Sequence, residues 1–132
     1  MRDENSVPKH CPKCGSDFEG IEYGGVQVDR CTSCRGLWFD LLEHEDLARI
    51  QGADSIDIGD EEVGRNFDLQ RRIDCPVCNS QMIAMVDRKQ ANIHYEACTT
   101  CYGVFFDAGE FRDYAERSVL DFFRDLISRD RD

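Results

Sequence analysis

The sequence lacks any long apolar run. Its mean hydropathy is -0.54, and no stretch approaches the roughly 20 consecutive apolar residues that a membrane-spanning helix needs. The first ten residues, MRDENSVPKH, contain no apolar core of a secretory signal. We therefore expect a cytoplasmic protein with no membrane association.

The sequence also has few basic residues for its number of acids. It carries 16 Lys and Arg against 27 Asp and Glu, a formal charge of -11, and the acidic excess extends over the whole chain. Nucleic-acid binding depends on clustered cations that displace counterions from phosphates. The composition therefore disfavours nucleic acid as the partner and favours another protein, one with a basic surface.

Cysteine, in contrast, is abundant, with eight residues in 132. Without a signal for export, these thiols should stay reduced, so a metal site is a better interpretation than a disulfide framework. The cysteines form an internal repeat of C-x2-C pairs, separated by 16 residues in the first copy and 19 in the second. This spacing is typical of four-thiolate zinc sites. It predicts one Zn²⁺ at Cys11, Cys14, Cys31 and Cys34, and a second at Cys75, Cys78, Cys98 and Cys101.

The residues between the cysteine pairs predict a β-hairpin in each copy. In the first, strands at Phe18–Tyr23 and Val26–Arg30 flank Gly24-Gly25, and two glycines supply the positive φ of a tight turn. In the second, 82–86 and 93–97 flank a longer polar tip at 87–90. Gly15 and Asn79, directly after two of the cysteines, suit the left-handed conformation of a metal-binding loop.

Two carboxylate pairs follow the second cysteine pairs, Asp40/Glu43 and Asp107/Glu110. The D-x-x-E pattern before a helical stretch predicts a capping box, in which the Asp side chain accepts the N3 amide, rather than catalytic acids. The aromatic residues before each pair should pack the hairpin against the helix. The three histidines are predicted to be solvated or packing residues, because both quartets are complete without them. Since four thiolates leave no open position on zinc, we expect no enzymatic activity.

These signals define a small metal-stabilised α+β protein, built from two tandem zinc ribbons that are each followed by a helix. The predicted domains are residues 1–51, an acidic linker at 52–72 with a short helix from Glu61 to Leu69, and residues 73–132. Apolar periodicity predicts a long amphipathic helix from Ala108 to about Ser128. Its apolar face has three candidate occupants: the first module, a second copy of the chain, or a partner. Whether the ribbons are independent or packed together stays open.

The pattern C-P-x-C, a YGGVQVDR hairpin and C-x-x-C-x-G-L-W-F-D-x-x-E resembles the bacterial zinc ribbons classed as transcription-factor-IIB-type zinc fingers. The second copy is similar, with Phe105 in place of Trp38 and no Gly-Gly tip. The resemblance covers residues 9–50 and 74–115 and implies Zn²⁺ at both cysteine quartets. It suggests, without establishing, an association with transcription machinery.

The leading hypothesis is a protein-interaction adaptor with two structural zinc ions. One alternative is a redox-responsive or chaperone-like zinc-thiolate protein, in which nearby cations lower the thiol pKa at the first site. The other is weak nucleic-acid binding through the first ribbon, with Trp38 or Tyr23 against the bases. Both alternatives depend on one cluster of basic residues: Lys9, Lys13, Arg30 and Arg35.

Overall fold

The computed structural model describes residues 10–40, 43–48, 52–68, 73–86 and 93–116. Among these residues, no helix is long and apolar enough to cross a membrane. Within these ranges, six strands, three α-helices and one 3₁₀ turn follow one another. They are β1 (Phe18–Tyr23), β2 (Val26–Cys31), β3 (Leu37–Phe39), α1 (Glu43–Ala48), a 3₁₀ turn (Ala53–Ile56), α2 (Glu61–Asp68), β4 (Ile83–Val86), β5 (His94–Ala97), β6 (Val104–Phe106) and α3 (110–116).

Both predicted hairpins are confirmed. β1 and β2 pair antiparallel from Phe18↔Cys31 to Tyr23↔Val26, and β4 pairs antiparallel with β5. Gly24 and Gly25 have φ values of 59° and 83°, the positive angles that a two-residue turn of this kind requires. The polar tip predicted at 87–90 lies outside the described residues.

The two ribbons form a single sheet, in the order β1-β2-β3-β6-β5-β4. The third strand of each ribbon was not predicted, and these two strands pair antiparallel at the centre of the sheet. Trp38 lies directly opposite Phe105, which occupies the same position in the other copy. The flanking pairs Leu37↔Phe106 and Phe39↔Val104 are equivalent to each other. An internal two-fold axis therefore passes between Trp38 and Phe105.

The central strands separate two apolar cores, because successive side chains point to opposite faces of a sheet. Phe39 and Phe106 lie on the face covered by α1 and α3 and pack together at 5.8 Å between ring centroids. Trp38 and Phe105 lie on the other face, among the cysteines. The expectation that these aromatics pack against the helices is therefore confirmed for Phe39 and Phe106. It is wrong for Trp38 and Phe105, which pack on the opposite face.

The linker packs against both ribbons. Ala53, Ile56 and Asp57 are buried, while Ile58 remains 55% exposed. Arg30 from β2 donates to the carbonyl oxygen of Ile56 at 3.1 Å. The predicted helix from Glu61 is confirmed as α2, whose described bounds end at Asp68.

Asp57 of the linker caps helix α3. Its two carboxylate oxygens accept the amide of Gly109 at 2.9 and 3.0 Å, and Oδ2 also accepts the amide of Arg112 at 2.9 Å. The prediction that the Asp107 carboxylate accepts the Glu110 amide is wrong. That amide donates to the main-chain oxygen of Asp107 at 3.0 Å, because the Asp107 carboxylate faces a buried lysine, described below.

The first copy shows the same departure from the predicted capping box. The Glu43 amide donates to the main-chain oxygen of Asp40 at 2.9 Å. The carboxylate of Asp40 accepts the indole N–H of Trp38 at 3.1 Å. The Asp40 carboxylate therefore binds the indole of a residue two positions earlier, whereas the Asp107 carboxylate binds a lysine of the other ribbon.

The predicted C-terminal helix begins at residue 110 and is described as far as 116. Phe111 and Ala115 are 0% and 2% exposed and belong to the core under the sheet. This part of the apolar face is covered by the chain itself. The remaining predicted length, to about Ser128, lies outside the described residues.

Candidate metal centres

The eight cysteines assemble into two quartets, in which all four Sγ atoms lie within 4.8 Å of one another. At the first site, Cys11 and Cys34 are 3.7 Å apart and Cys14 and Cys31 are 3.3 Å apart, measured between Sγ atoms. At the second site, the corresponding pairs are 3.6 Å (Cys75, Cys101) and 3.3 Å (Cys78, Cys98) apart. A zinc tetrathiolate with Zn–S of about 2.3 Å has sulfur–sulfur edges of about 3.8 Å. The geometry and the donor type fit two zinc ions, with all four positions on each filled by sulfur.

Each quartet is built from two loops with a common backbone conformation. The residue after the second cysteine of each loop has a positive φ: 79° at Gly15, 65° at Arg35, 62° at Asn79 and 62° at Tyr102. In three of these loops, the amide of that residue donates at 2.9 Å to the carbonyl of the first cysteine. The predicted left-handed positions at Gly15 and Asn79 are confirmed. Arg35 and Tyr102 gave no such signal, since neither residue type favours this conformation.

Main-chain amides stabilise the sulfurs. The amides of Ser33, Val77 and Thr100 each lie 3.4 Å from the Sγ of the cysteine two residues earlier. Hydrogen bonds to the ionised form of a group favour that form. The C-x2-C spacing thus supplies both the two ligands and the dipoles that hold them as thiolates.

Neighbouring thiols share protons before a metal binds. A hydrogen bond with Cys34 lowers the pKa of Cys11 to about 5 and raises the pKa of Cys34. At the second site, burial acts to raise the pKa of Cys78, but hydrogen bonds from Ser80 and Cys98 lower it to about 6. Hydrogen bonds within each quartet thus favour the ionised form of at least one thiol, and zinc binding would displace the remaining protons.

Gly36 and Gly103 allow an aromatic ring from one ribbon to lie on the metal-binding loop of the other. A Cβ atom on Gly36 would be 2.3 Å from the ring of Phe105, and one on Gly103 would be 2.2 Å from the ring of Trp38. Each glycine carbonyl accepts the amide of a ligand, from Cys31 at 2.8 Å and from Cys98 at 2.9 Å. These glycines are required for close approach.

Lys13 connects the first metal loop to the second ribbon. It lies between Cys11 and Cys14, and its side chain is fully buried. Its Nζ is 2.5 Å from a carboxylate oxygen of Glu96, in β5, and 3.3 Å from one of Asp107, after β6. Both carboxylates are almost fully buried. The lysine therefore neutralises charge inside the interface between the two ribbons.

The basic cluster expected near the first site is not a free cationic surface. Lys13 is buried, and Arg30 and Arg35 both bind Glu19, at 2.9 and 3.1 Å. Lys9 lies outside the described residues. Trp38, proposed to contact bases, is 0% exposed. The largest cause of the lowered pKa of Cys11 is its hydrogen bond with Cys34, not the charge of these cations.

The remaining predicted site candidates have structural contacts. Glu110 Oε2 accepts the amide of His94 at 3.2 Å. His44 is buried among aromatic rings beneath the sheet, with ring centroids of Phe106 and Tyr114 at 5.9 and 5.8 Å. His10 is exposed and lies 3.3 Å from Asp17. None of the three histidines belongs to the metal-binding groups found among the described residues.

Comparison with known proteins agrees with this geometry. A family model described as a transcription factor zinc-finger, of the TFIIB-type ribbon, matches residues 10–50 and again residues 74–117. Each matched segment contains one complete cysteine quartet. Searches of curated proteins and of solved structures returned no match.

Proposed function

The chain belongs to the transcription factor zinc-finger family, and from this premise we propose that it is a non-enzymatic adaptor that binds a basic surface on another protein. Two tandem ribbons contain the two zinc sites. Because four sulfurs surround each site, the ions would act as structural centres rather than as Lewis acids. Association with transcription machinery is the partner class that the family suggests.

The observation that carries this proposal is the pairing of cations. All five Lys and Arg side chains in the described part of the chain have a carboxylate oxygen within 4.0 Å. Of these five cations only Arg65 is exposed, so the exposed acids there outnumber the exposed cations. Each zinc held by four thiolates leaves two further negative charges. Such a field attracts a basic protein surface and repels phosphates.

The test begins with cross-linking of the tagged, zinc-loaded full chain to proteins of its source cells. A captured protein is then purified, and its affinity is measured for the wild type and for a variant in which four exposed acids become Gln. These acids are Glu22, Glu45, Glu62 and Asp74. We expect the variant, and an increase in salt from 50 to 300 mM, each to weaken binding by about tenfold or more. An affinity that changes neither with the four substitutions nor with the increase in salt would contradict the proposal.

Nucleic acid supplies the second arm of the test. We expect a fluorescent 20-base-pair DNA duplex and a single-stranded RNA of the same length to show no binding at 50 mM salt. Binding that is tight and steeply salt-dependent would instead favour the nucleic-acid alternative. The same titration with Arg35→Ala would then show whether the first ribbon is responsible.

A further inference from the structure

The two zinc sites share one buried interface. Cysteines of both quartets, Trp38 and Phe105 belong to the same apolar cluster on one face of the sheet. The central strands β3 and β6 join the ribbons through three residue pairs. Loosening either metal loop therefore disturbs packing that the other loop uses.

Two reciprocal contacts, each between an aromatic ring of one ribbon and a glycine of the other, connect the two metal-binding loops. Phe105 of the second ribbon lies on Gly36, whose carbonyl holds the amide of the ligand Cys31. Trp38 of the first ribbon lies on Gly103, whose carbonyl holds the amide of the ligand Cys98. Each metal loop is thus closed by a hydrogen bond that the opposite ribbon covers.

Lys13 adds an ionic contact from the first metal-binding loop to two carboxylates of the second ribbon. Zinc bound at the first site would fix the loop from Cys11 to Cys14, which carries the lysine that contacts the buried carboxylates of Glu96 and Asp107. Glu96 lies two residues before Cys98, a ligand of the second site. If the first loop loosens, two buried carboxylates lose their cation next to the second site, which is a costly arrangement.

The internal symmetry shows that this link is specific to one half. Val77 occupies the position of Lys13 in the second copy, and Asp40 occupies the position of Asp107. Asp40 instead accepts the indole N–H of Trp38. In the second copy, Phe105 stands at the position of Trp38 and offers no N–H donor to Asp107. The Asp107 carboxylate contacts Lys13 of the first ribbon instead.

From these contacts we propose that zinc binding is positively cooperative: an ion at either site raises the affinity of the other site. Lys13 and the ring–glycine contacts transmit the effect. Because coupling between two sites is reciprocal, both affinities change by the same factor, and couplings in proteins are typically about 5- to 150-fold. The two ribbons then gain or lose zinc as one unit.

The test is a titration of the reduced, metal-free full chain with buffered zinc, followed by native mass spectrometry. The measured quantity is the largest fraction of protein carrying one zinc. For two independent sites, equal or unequal in affinity, this maximum is one half or more. For equal sites with a coupling of about 100-fold, which is within the typical range, it falls to about one tenth. We expect a maximum well below one half for the wild type.

Lys13→Met should at least double the singly loaded maximum of the wild type. Arg65→Met is the matched control, since this cation is 69% exposed on α2, and it should leave the maximum unchanged. Circular dichroism at saturating zinc verifies the fold. If Lys13→Met does not fold, Asp107→Asn replaces it under the same criterion. A wild-type maximum of one half or more would mean that the coupling does not outweigh the difference in affinity between the two sites, and it would overturn loading of the ribbons as one unit. A lysine variant that behaves like the wild type would overturn the role of Lys13.

Discussion

Replacement of Asp57 by alanine tests whether the linker is a structural part of the fold. The carboxylate is buried and accepts two main-chain amides at the start of α3, with a contact to Gly109 from each oxygen. Loss of a helix cap costs about 0.5–2 kcal/mol. Burial of amides left without an acceptor adds about 1–3 kcal/mol. Burial also raises the pKa of Asp57 above its usual 3.8, so removing a poorly solvated charge offsets part of this loss.

The expected net cost of Asp57→Ala is about 2–4 kcal/mol, measured by urea unfolding at a fixed free zinc concentration. Asp57→Asn keeps one acceptor oxygen and should cost about half as much. Glu62→Ala, an exposed acid on α2, is the control and should change stability by less than about 0.5 kcal/mol. A cost for Asp57→Ala within the range of that control would refute the capping role.

The pH dependence gives an independent check of Asp57. Because its pKa is raised in the folded state, the native protein binds the proton more tightly than the unfolded chain does. The carboxylate's contribution to stability therefore falls as pH rises from 3.8 through the folded pKa and is constant above it. The advantage of wild type over Asp57→Asn should grow as the pH is lowered into this window. An advantage that shrinks there would mean that the pKa is depressed.

Three further changes have expected outcomes. Gly36→Ala places a Cβ 2.3 Å from an aromatic ring and should cost about 1–3 kcal/mol, whereas Gly20→Ala, with its nearest atom at 3.6 Å, should stay within about 0.5 kcal/mol in the same urea assay. Lys13→Met should cost about 3–5 kcal/mol, and the added substitutions Glu96→Gln and Asp107→Asn should restore most of it; a single substitution without cost would contradict the buried ion cluster. Removal of zinc with EDTA should unfold the chain, because each structural site contributes on the order of 10 kcal/mol; tryptophan fluorescence and circular dichroism that stay native would refute this.

The zinc sites and hairpins were predictable because their determinants are local. Cysteine spacing specifies which sulfurs meet, and Gly24-Gly25 specifies a turn whose geometry depends on those two residues. A short helix starting at Glu61 was also predicted, after the acidic, glycine-containing linker segment, and α2 begins at that residue. Nothing distant in the chain is needed for these features.

The contacts between the ribbons were not predictable, because they depend on pairing across the internal two-fold axis. Strands of three residues carry too little pattern to predict a sheet, and the pairing of Trp38 with Phe105 joins residues far apart in sequence. Lys13 resembled a surface cation of the metal loop until Glu96 and Asp107 were placed around it. Asp57 looked like one of several solvated linker acids. Long-range burial, rather than residue type, sets the roles of these side chains.

X-ray absorption at the zinc edge, with the zinc content measured on the same sample, tests the central claim most directly. The account predicts two zinc ions per chain, each with four sulfur neighbours at about 2.3 Å and no nitrogen or oxygen neighbour. One zinc per chain, or a nitrogen or oxygen ligand in the first coordination sphere, would contradict two closed four-cysteine sites.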